Sequence, residues 1–381
     1  MGAPQIRLSE MAQGLKKKGW DISVLTSMPN YPTGEIFTAY RGKIFCKEYQ
    51  DSIEIRRFWL FASNSRKIFP RIISMLSFSL SVFFSLTFLR KGKFDYVIAE
   101  SPPLTLGLSA YLLSRFAGSR LILNVSDLWP LSAKELGAIS DGFLYRKLMN
   151  LERYIYKKSF ICLGQSQEIV NYIKQNGGSN TYLFRNGVDP KRFMKHGLVR
   201  DNKSVKIVYT GLLGIAQGIL EICKHISFKS LGVEFHIYGA GAEKEEIERY
   251  LTENPERGII YHGTVSSNEI PDILSQYTAT LTSLVKNIYG AVPSKIYESM
   301  AAGLPILFSG DGEGRYIIEE YNLGWTSAAK DYITLQSNIK KLQSDREEYR
   351  LKKENCIKAA AERFNRTKQI DDLHNYLSSF N

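Results

Sequence analysis

The chain has 381 residues, a net formal charge of +12, and 44% hydrophobic against 23% charged residues, ordinary globular usage that excludes wholesale disorder and fibrous repeats. The length exceeds what one core usually organises and predicts two domains, and a mean hydropathy of −0.20 excludes a polytopic membrane protein. The basic excess suits an anionic partner: nucleic acid, nucleotide phosphates or an anionic membrane face.

In chain order, Met1-Gly2-Ala3-Pro4 reads as a glycine-rich turn with a helix following at once over 7–18. A Rossmann-like unit normally opens with a buried strand before that turn. The first half is therefore expected to lack its central strand, with the true start lying upstream or the chain truncated; a first half that simply starts with a helix is the plain alternative. Short apolar runs then predict strands over 22–26, 53–58, 96–99, 121–125 and 160–163, with helices over 106–116, 143–158 and 167–176. The second half repeats the alternation, with strands over 206–209, 234–238, 259–262, 279–284 and 306–309, each followed by a helix. Strands alternating with helices predict mostly parallel α/β sheets. From 331 onward the pattern is helical, ending in a helix over 368–378. The domains are read as 1–196, 205–365 and a terminal helix over 366–381 that returns to the first domain, with the junction in the polar stretch 196–204.

Residues 1–95 hold 15 Lys/Arg and 7 Asp/Glu, most of the excess charge. Within them 72–89 is uncharged and apolar, with Arg66, Lys67 and Arg71 before it and Arg90, Lys91 and Lys93 after it. It is long enough to be a short membrane span. Five serines and a threonine weaken that reading, and a span would split the sheet. A buried core helix and an interfacial helix over anionic lipid both remain open. No zinc finger, helix-turn-helix or RNP-like strand marks a nucleic-acid binder. The four cysteines, Cys46, Cys162, Cys223 and Cys356, and the five histidines are scattered, so neither a metal site nor a disulfide framework is expected, and a reducing cytoplasm fits.

The most informative segment is 292–307, VPSKIYESMAAGLPIL. Pro293 and Ser294 sit where a helix begins, so that Ser294 or a neighbour caps free N–H groups. Lys295 falls in the first turn, where a cation and a helix N-terminus together suit a phosphate. Glu298 lies one turn deeper on the same face and can accept hydrogen bonds from two ribose hydroxyls. A surface helix carrying a Lys–Glu pair is the plain alternative. Asp127 and Trp129 follow the 121–125 strand, and Glu100 follows 96–99, at the carboxyl ends where open α/β sheets bind ligands. Gly239 and Gly241 open a helix after the 234–238 strand; Lys244 stands where a G-x-G-x-x-G motif needs its third glycine, so a nicotinamide cofactor is not indicated. Residues 311–315, DGEGR, read as a loop.

Segment 292–307 resembles the nucleotide-sugar site of GT-B glycosyltransferases of family 4, and the similarity covers almost the whole chain. Residues 1–4 resemble that family's first glycine-rich turn. Segments 25–34 (LTSMPNYPTG), 125–130 (VSDLWP), 186–190 (NGVDP) and 209–218 (YTGLLGIAQG) resemble its bacterial surface-polysaccharide branch, with the fucosamine transferases of O-antigen assembly the most alike. The resemblance implies two Rossmann-like domains facing a cleft. It also implies transfer of a sugar, with retention, from a UDP-linked donor to a hydroxyl of a polyprenyl-diphosphate-linked glycan in O-antigen or capsule synthesis, on the inner face of the cytoplasmic membrane. The donor side falls on Gly211, Gly214, Gln217, Gly218, Gly239, Gly241, Pro293, Ser294, Lys295 and Glu298. The acceptor side falls on Gly2, Ala3, Pro4, Asn30, Glu100 and Trp129, and catalysis on Asp127 and Glu298. No D-x-D pair follows a strand, so no metal or other cofactor is expected, and helix dipoles with cations would stabilise the leaving diphosphate. Two departures stand out: Gly290 occupies the place of the first of two glutamates eight apart, and the 211–218 loop has no basic residue. Backbone N–H groups of that loop would bind phosphate instead, with Lys295 as the cation. A sugar-nucleotide epimerase of the same fold, or a non-catalytic nucleotide-sugar binder, is the alternative.

Overall fold

A computed structural model describes residues 3–31, 33–65, 68–90, 92–194 and 204–380. The chain divides into two units: Met1–Arg185 with Ile370–Asn381, and Asn186–Gln369.

The first unit runs α1 (Ala3–Lys17), β1 (Ser23–Ser27), β2 (Phe45–Gln50), β3 (Ile53–Phe58), α2 (Ile68–Ser81), β4 (Tyr96–Ser101), α3 (Leu104–Ala117), β5 (Arg120–Val125), α4 (Leu131–Glu135), α5 (Phe143–Lys158), β6 (Ile161–Gly164), α6 (Gln167–Gln175) and β7 (Thr181–Leu183). Its strands form two separate sheets rather than one. One has the order β1-β3-β2, the other β4-β5-β6-β7, and the second is parallel throughout. The β5 and β6 sequences, RLILNV and ICLG, are near-continuous apolar runs because helices cover both faces. On one face Met11 and Leu15 of α1 pack with Ile122, Ile161 and Leu163. Ile370, Leu373 and Leu377 complete that layer, so the end of the chain belongs to this core. The segment 72–89 is not one helix: α2 ends at Ser81 and a 3₁₀ stretch, Val82–Thr87, follows.

The second unit runs α7 (Lys191–Met194), β8 (Lys206–Thr210), α8 (Ile219–His225), β9 (Glu234–Tyr238), α9 (Lys244–Glu253), β10 (Ile259–Tyr261), α10 (Ile270–Leu274), β11 (Ala279–Ser283), α11 (Lys295–Ala301), β12 (Ile306–Ser309), α12 (Glu313–Glu320), β13 (Gly324–Ser327), α13 (Tyr332–Ser344), α14 (Arg346–Glu362) and the start of α15 (Arg366–Ser378). All six strands are parallel, in the order β10-β9-β8-β11-β12-β13. A core cluster lies on each face, one around Ile296, Tyr297 and Phe308 and the other around Ile207, Phe235 and Leu281. This is a doubly wound Rossmann-like sheet whose order reverses between β8 and β11, so the ligand crevice is expected outside their carboxyl ends. Residues 186–190 belong here and not to the first unit. The Val188 N–H donates to the Phe364 carbonyl, and the Arg366 N–H donates to the Val188 carbonyl, at 2.9 Å each. These bonds set the division at Arg185/Asn186, ahead of the 196–204 stretch, most of which lies outside the described residues.

Candidate active site

The β8/β11 reversal brings together three segments far apart in sequence. After β8 the chain turns at Gly211, whose N–H donates to the Tyr238 carbonyl (2.8 Å); the Leu213 N–H donates to the Ala240 carbonyl (2.9 Å) and the Glu243 N–H to the Leu213 carbonyl (3.0 Å). The 211–218 and 239–243 turns therefore lie backbone against backbone. A Cβ on Gly239 would stand 1.8 Å from the Gly211 oxygen, and one on Gly241 would stand 2.1 Å from the Leu213 oxygen. Only glycine fits either position. Gly214 and Gln217 close the turn, with the Gln217 N–H donating to the Gly214 carbonyl (2.9 Å). Gln217 Oε1 is buried there and finds no hydrogen-bond partner among the described residues. Gly218 stands at the start of α8 in the left-handed conformation.

The third segment begins after β11. α11 starts at Lys295, and Ser294 occupies its cap position but makes no side-chain cap bond. This corrects the capping expectation: Ser294 already has helical φ and ψ (−61°, −23°), and a capping residue normally holds extended backbone. Pro293 and Ser294 accept through their carbonyls instead, from Ile296 (3.2 Å) and Tyr297 (3.1 Å). The Lys295 side chain lies over the glycine turn. Its Nζ donates to Tyr209 Oη at 2.7 Å, and Tyr209 Oη in turn donates to the Leu212 carbonyl at 2.5 Å. Nζ also sits 3.9 Å from the Tyr209 ring centroid, in cation–π range. A Cβ on Gly211 would stand 2.3 Å from Nζ, so the missing side chain at 211 is the space that the ammonium occupies.

Burial lowers the Lys295 pKa to about 7, against a smaller opposing pull from Glu298. Burial likewise raises the Glu298 carboxyl above its ordinary range, opposed by Arg192 and then by Lys295. Arg192, on α7, is a second cation near Glu298, and its guanidinium donates to the Ser267 carbonyl (3.1 Å). The sequence analysis gives neither Arg192 nor Tyr209 a site role. Tyr209 enters there only as the end of a strand and the first residue of the 209–218 segment. Arg192 follows the 186–190 segment in the sequence, and that adjacency was the available signal. The stretch 311–315 is not a loop throughout: Glu313 begins α12, and Gly314 is buried against Ile296, Phe308 and Pro293.

In the first unit the expected residues also gather at strand carboxyl ends. Asp127 follows β5, and its carboxylate accepts from Ser132 Oγ (3.1 Å). Burial raises the Asp127 pKa, opposed by the hydrogen bonds from Ser132 and the Leu128 N–H. Glu100 is engaged by α1: Arg7, only 3% exposed, pairs with it at 2.6 Å, and Asn124 Nδ2 donates to it at 2.6 Å. Ser126 Oγ bonds the same carboxylate and accepts from Arg7 at 2.5 Å. Burial nonetheless raises the Glu100 pKa more than Arg7 lowers it. Trp129 is half-buried beside Asp127 in sequence, and Asn30 turns back to donate to the Met28 carbonyl (2.9 Å). Ala3 and Pro4 open α1, and Gly2 lies outside the described residues. Among the described residues no three His, Cys, Asp or Glu side chains converge as metal ligands.

Comparison with known proteins bears on both units. The glycosyl transferase 4-like domain matches residues 2–187, and the glycosyl transferases group 1 family matches residues 191–363. A protein of Escherichia coli (strain K12) named for colanic acid biosynthesis, the glycosyl transferase WcaI, is 23% identical over 325 residues, covering 77% of this chain and 76% of its own. WbjE of Pseudomonas aeruginosa, named as a glycosyltransferase, is 25% identical over 288 residues and 72% of each chain. Among solved structures, sucrose-phosphate synthase from Thermosynechococcus elongatus superposes with a TM-score of 0.75 at 14% identity, covering 100% of this chain and 94% of that one. Anabaena HepE in complex with UDP and glucose superposes with a TM-score of 0.70 at 13% identity, covering 100% and 96%. These similarities give the fold as GT-B.

Proposed function

We propose a specific reaction for this chain on the premise that it belongs to the glycosyltransferases, its first unit of the 4-like type and its second of group 1. The second unit binds a uridine-diphosphate sugar and the first presents an acceptor hydroxyl on a polyprenyl-diphosphate-linked glycan of a surface polysaccharide. The observation that carries this reading is the Lys295 ammonium packed on the Gly211 turn, at the point where the sheet order reverses. A half-buried cation beside the turn's remaining N–H groups, those of Leu212, Gly214, Ile215 and Ala216, which donate to nothing among the described residues, is a diphosphate site. Solved HepE holds UDP on the same fold, which supports a uridine donor here. The naming of WcaI for colanic acid biosynthesis supports a surface-polysaccharide acceptor.

In the reaction, the bond between the sugar C1 and the diphosphate oxygen breaks and a bond from the acceptor oxygen to C1 forms, with retention of configuration. Lys295 and the N–H groups of Leu212, Gly214, Ile215 and Ala216 neutralise the charge that grows on the leaving diphosphate, the electrostatic task that dominates such a step. Glu298 accepts hydrogen bonds from the ribose hydroxyls. Asp127, its pKa raised toward the working range by burial, takes up the acceptor proton or orients the sugar hydroxyls.

The test measures UDP release from a panel of UDP-sugars with and without extracted lipid-linked glycan. Acceptor-dependent release of UDP, reduced at least several-fold by Lys295→Ala and by Asp127→Asn, is expected, with Glu298→Gln raising mainly the KM for the UDP-sugar. Consumption of a UDP-sugar without any acceptor would replace the reading with sugar-nucleotide isomerisation. Unchanged kinetics in both Lys295→Ala and Glu298→Gln would reject the site.

A further inference from the structure

Helix α2 carries large apolar side chains on its outer side as well as its inner one. An amphipathic helix of a globular protein sets its apolar stripe toward the core and its polar residues toward water. Here serines share the inward side with Phe78, Val82 and Leu89, which pack with Leu113 and Ala117 of α3: Ser79 and Ser81 are buried, as is Ser85 in the 3₁₀ stretch. The large apolar side chains face outward at helical spacing, with Phe69 72% exposed, Leu80 68% and Phe84 66%, and Ile72 and Leu76 on the same stripe.

The inward face is fastened by hydrogen bonds. Ser79 Oγ lies 2.8 Å from Thr105 Oγ1 of α3, Ser109 Oγ of α3 donates to the Ser79 carbonyl (2.7 Å), and Ser81 Oγ donates to the Trp59 carbonyl (2.5 Å). The Phe61 N–H donates to Ser77 Oγ (2.8 Å). Thr105 and Ser109 share one face of α3 with Leu112 and Phe116, which are 47% and 55% exposed. That face carries the apolar surface on from α2 to α3, and Trp59 and Phe61 add two exposed aromatic rings beside it.

Along the chain, the charges flanking this surface have one sign. Between Glu54 and Asp95 the chain contains no acidic residue. Arg71, Arg90 and Lys93 are exposed at the two ends of the apolar stretch, and Arg115 is exposed beside Phe116. An apolar face flanked by cations complements an anionic bilayer, where the rings and aliphatic chains enter the acyl boundary and the cations meet lipid phosphates. By length and composition Phe69–Thr87 could also cross a membrane. The serine bonds to α3 and to the 59–61 segment argue instead for a helix that lies on the surface, because a span would break all of them.

We infer that the outer face of α2, continued by Leu112 and Phe116 of α3, is a membrane-docking surface that seats the first unit on an anionic bilayer without spanning it. The inference agrees with a lipid-linked acceptor but does not depend on one, since the surface and its charges lie outside the proposed reaction site.

The test is flotation of the full chain with vesicles of phosphatidylcholine alone or mixed with phosphatidylglycerol, carrying no glycan. Wild-type protein is expected to float with the mixed vesicles far more than with the neutral ones. Leu80→Asp with Phe84→Asp should lower partitioning by about tenfold or more, because two inserted apolar side chains are lost. Neutralising Arg71, Arg90 and Lys93 to Gln should lower it by about a hundredfold on anionic vesicles, at roughly 1 kcal/mol per cation near such a surface, and leave neutral vesicles unaffected. All five side chains are exposed, so unchanged melting temperatures are expected and serve as the folding control. Alkaline carbonate should strip the bound protein from the vesicles. Retention after carbonate would overturn the surface mode in favour of a span. Equal flotation on neutral and anionic vesicles, or flotation undiminished in either folded variant, would overturn the inference. So would a wild-type dimer that the Asp variant converts to monomer with no vesicle binding in either, because the face would then serve a second copy of the chain.

Discussion

Binding of a UDP-sugar should draw a proton from solution. The perturbation is the arrival of a diphosphate beside Lys295, whose burial holds its pKa down to about 7. At pH 7.5 a group with that pKa is only about one-quarter protonated, and a neighbouring anion favours its charged form. If the diphosphate restores Lys295 toward ordinary lysine behaviour, each bound molecule takes up roughly 0.7–0.8 proton at pH 7.5. The same arithmetic gives uptake of about 0.1 at pH 6 and close to one at pH 8.5. Titration calorimetry of a UDP-sugar in phosphate and in Tris, at several pH values, measures this directly. A UDP-sugar is the better probe because its diphosphate does not itself titrate near neutrality. Glu298 works in the opposite sense: burial raises its pKa in the free protein, and ribose hydroxyls favour its ionised form, so any proton it holds is released on binding. Glu298→Gln should therefore not lower the uptake, and Lys295→Met should remove it, leaving at most the release from Glu298. Binding without uptake between pH 6 and 8.5, or uptake unchanged in Lys295→Met, would refute the reasoning.

Three further outcomes follow from the packing. Gly239→Ala places a Cβ 1.8 Å from the Gly211 carbonyl oxygen at a residue with φ of +154°; overpacking of this kind costs about 1–3 kcal/mol, read as a lower urea midpoint together with loss of nucleotide binding. Arg7→Met leaves the buried Glu100 without its cation and should cost about 3–5 kcal/mol by urea unfolding, with most of it recovered by adding Glu100→Gln. The third concerns the stacked rings of His236 and His262, where Nδ1 of one lies 2.8 Å from Nε2 of the other beside Glu234, Lys206, Tyr238 and Tyr277. Burial lowers both histidine pKa values. Their contribution to stability is therefore present above pH 6.5 and lost as pH falls below it. Melting temperature between pH 7.5 and 5 should decline less steeply in His262→Gln than in wild type.

The sequence analysis located the buried strands because parallel strands covered on both faces read as apolar runs, as β5, β6, β8 and β12 do. It missed β2, whose sequence FCKEYQ is largely exposed and offers no such run. It also missed β7, only three residues long, and β13, which opens on glycine. The split of the first unit into two sheets is a matter of pairing, which periodicity does not carry. At the site, Lys295 and Glu298 were legible because their spacing on a helix is a property of the sequence. The requirement for glycine at 239 and 241 arises where two turns meet, and the place of Tyr209 arises where a strand end meets a lysine 86 residues away. Both depend on tertiary contacts. The outward apolar face of α2 lay in the same category: composition showed an apolar segment with basic flanks, and only the packing shows which side is turned outward.

The most direct test of the sugar-donor site is a thermal-shift panel of UDP, GDP, ADP and a set of UDP-sugars on the wild-type chain and on Lys295→Ala. A ligand that binds only the folded state stabilises it by about 2.7 kcal/mol at a hundred times its Kd, a shift of roughly 5–10 °C for a unit of this size. The account predicts that UDP and at least one UDP-sugar raise the melting temperature of the wild-type chain, that GDP and ADP do so far less, and that Lys295→Ala melts as wild type does alone but loses the shift. A folded wild-type chain that no nucleotide shifts, or an equal shift in Lys295→Ala, would contradict it.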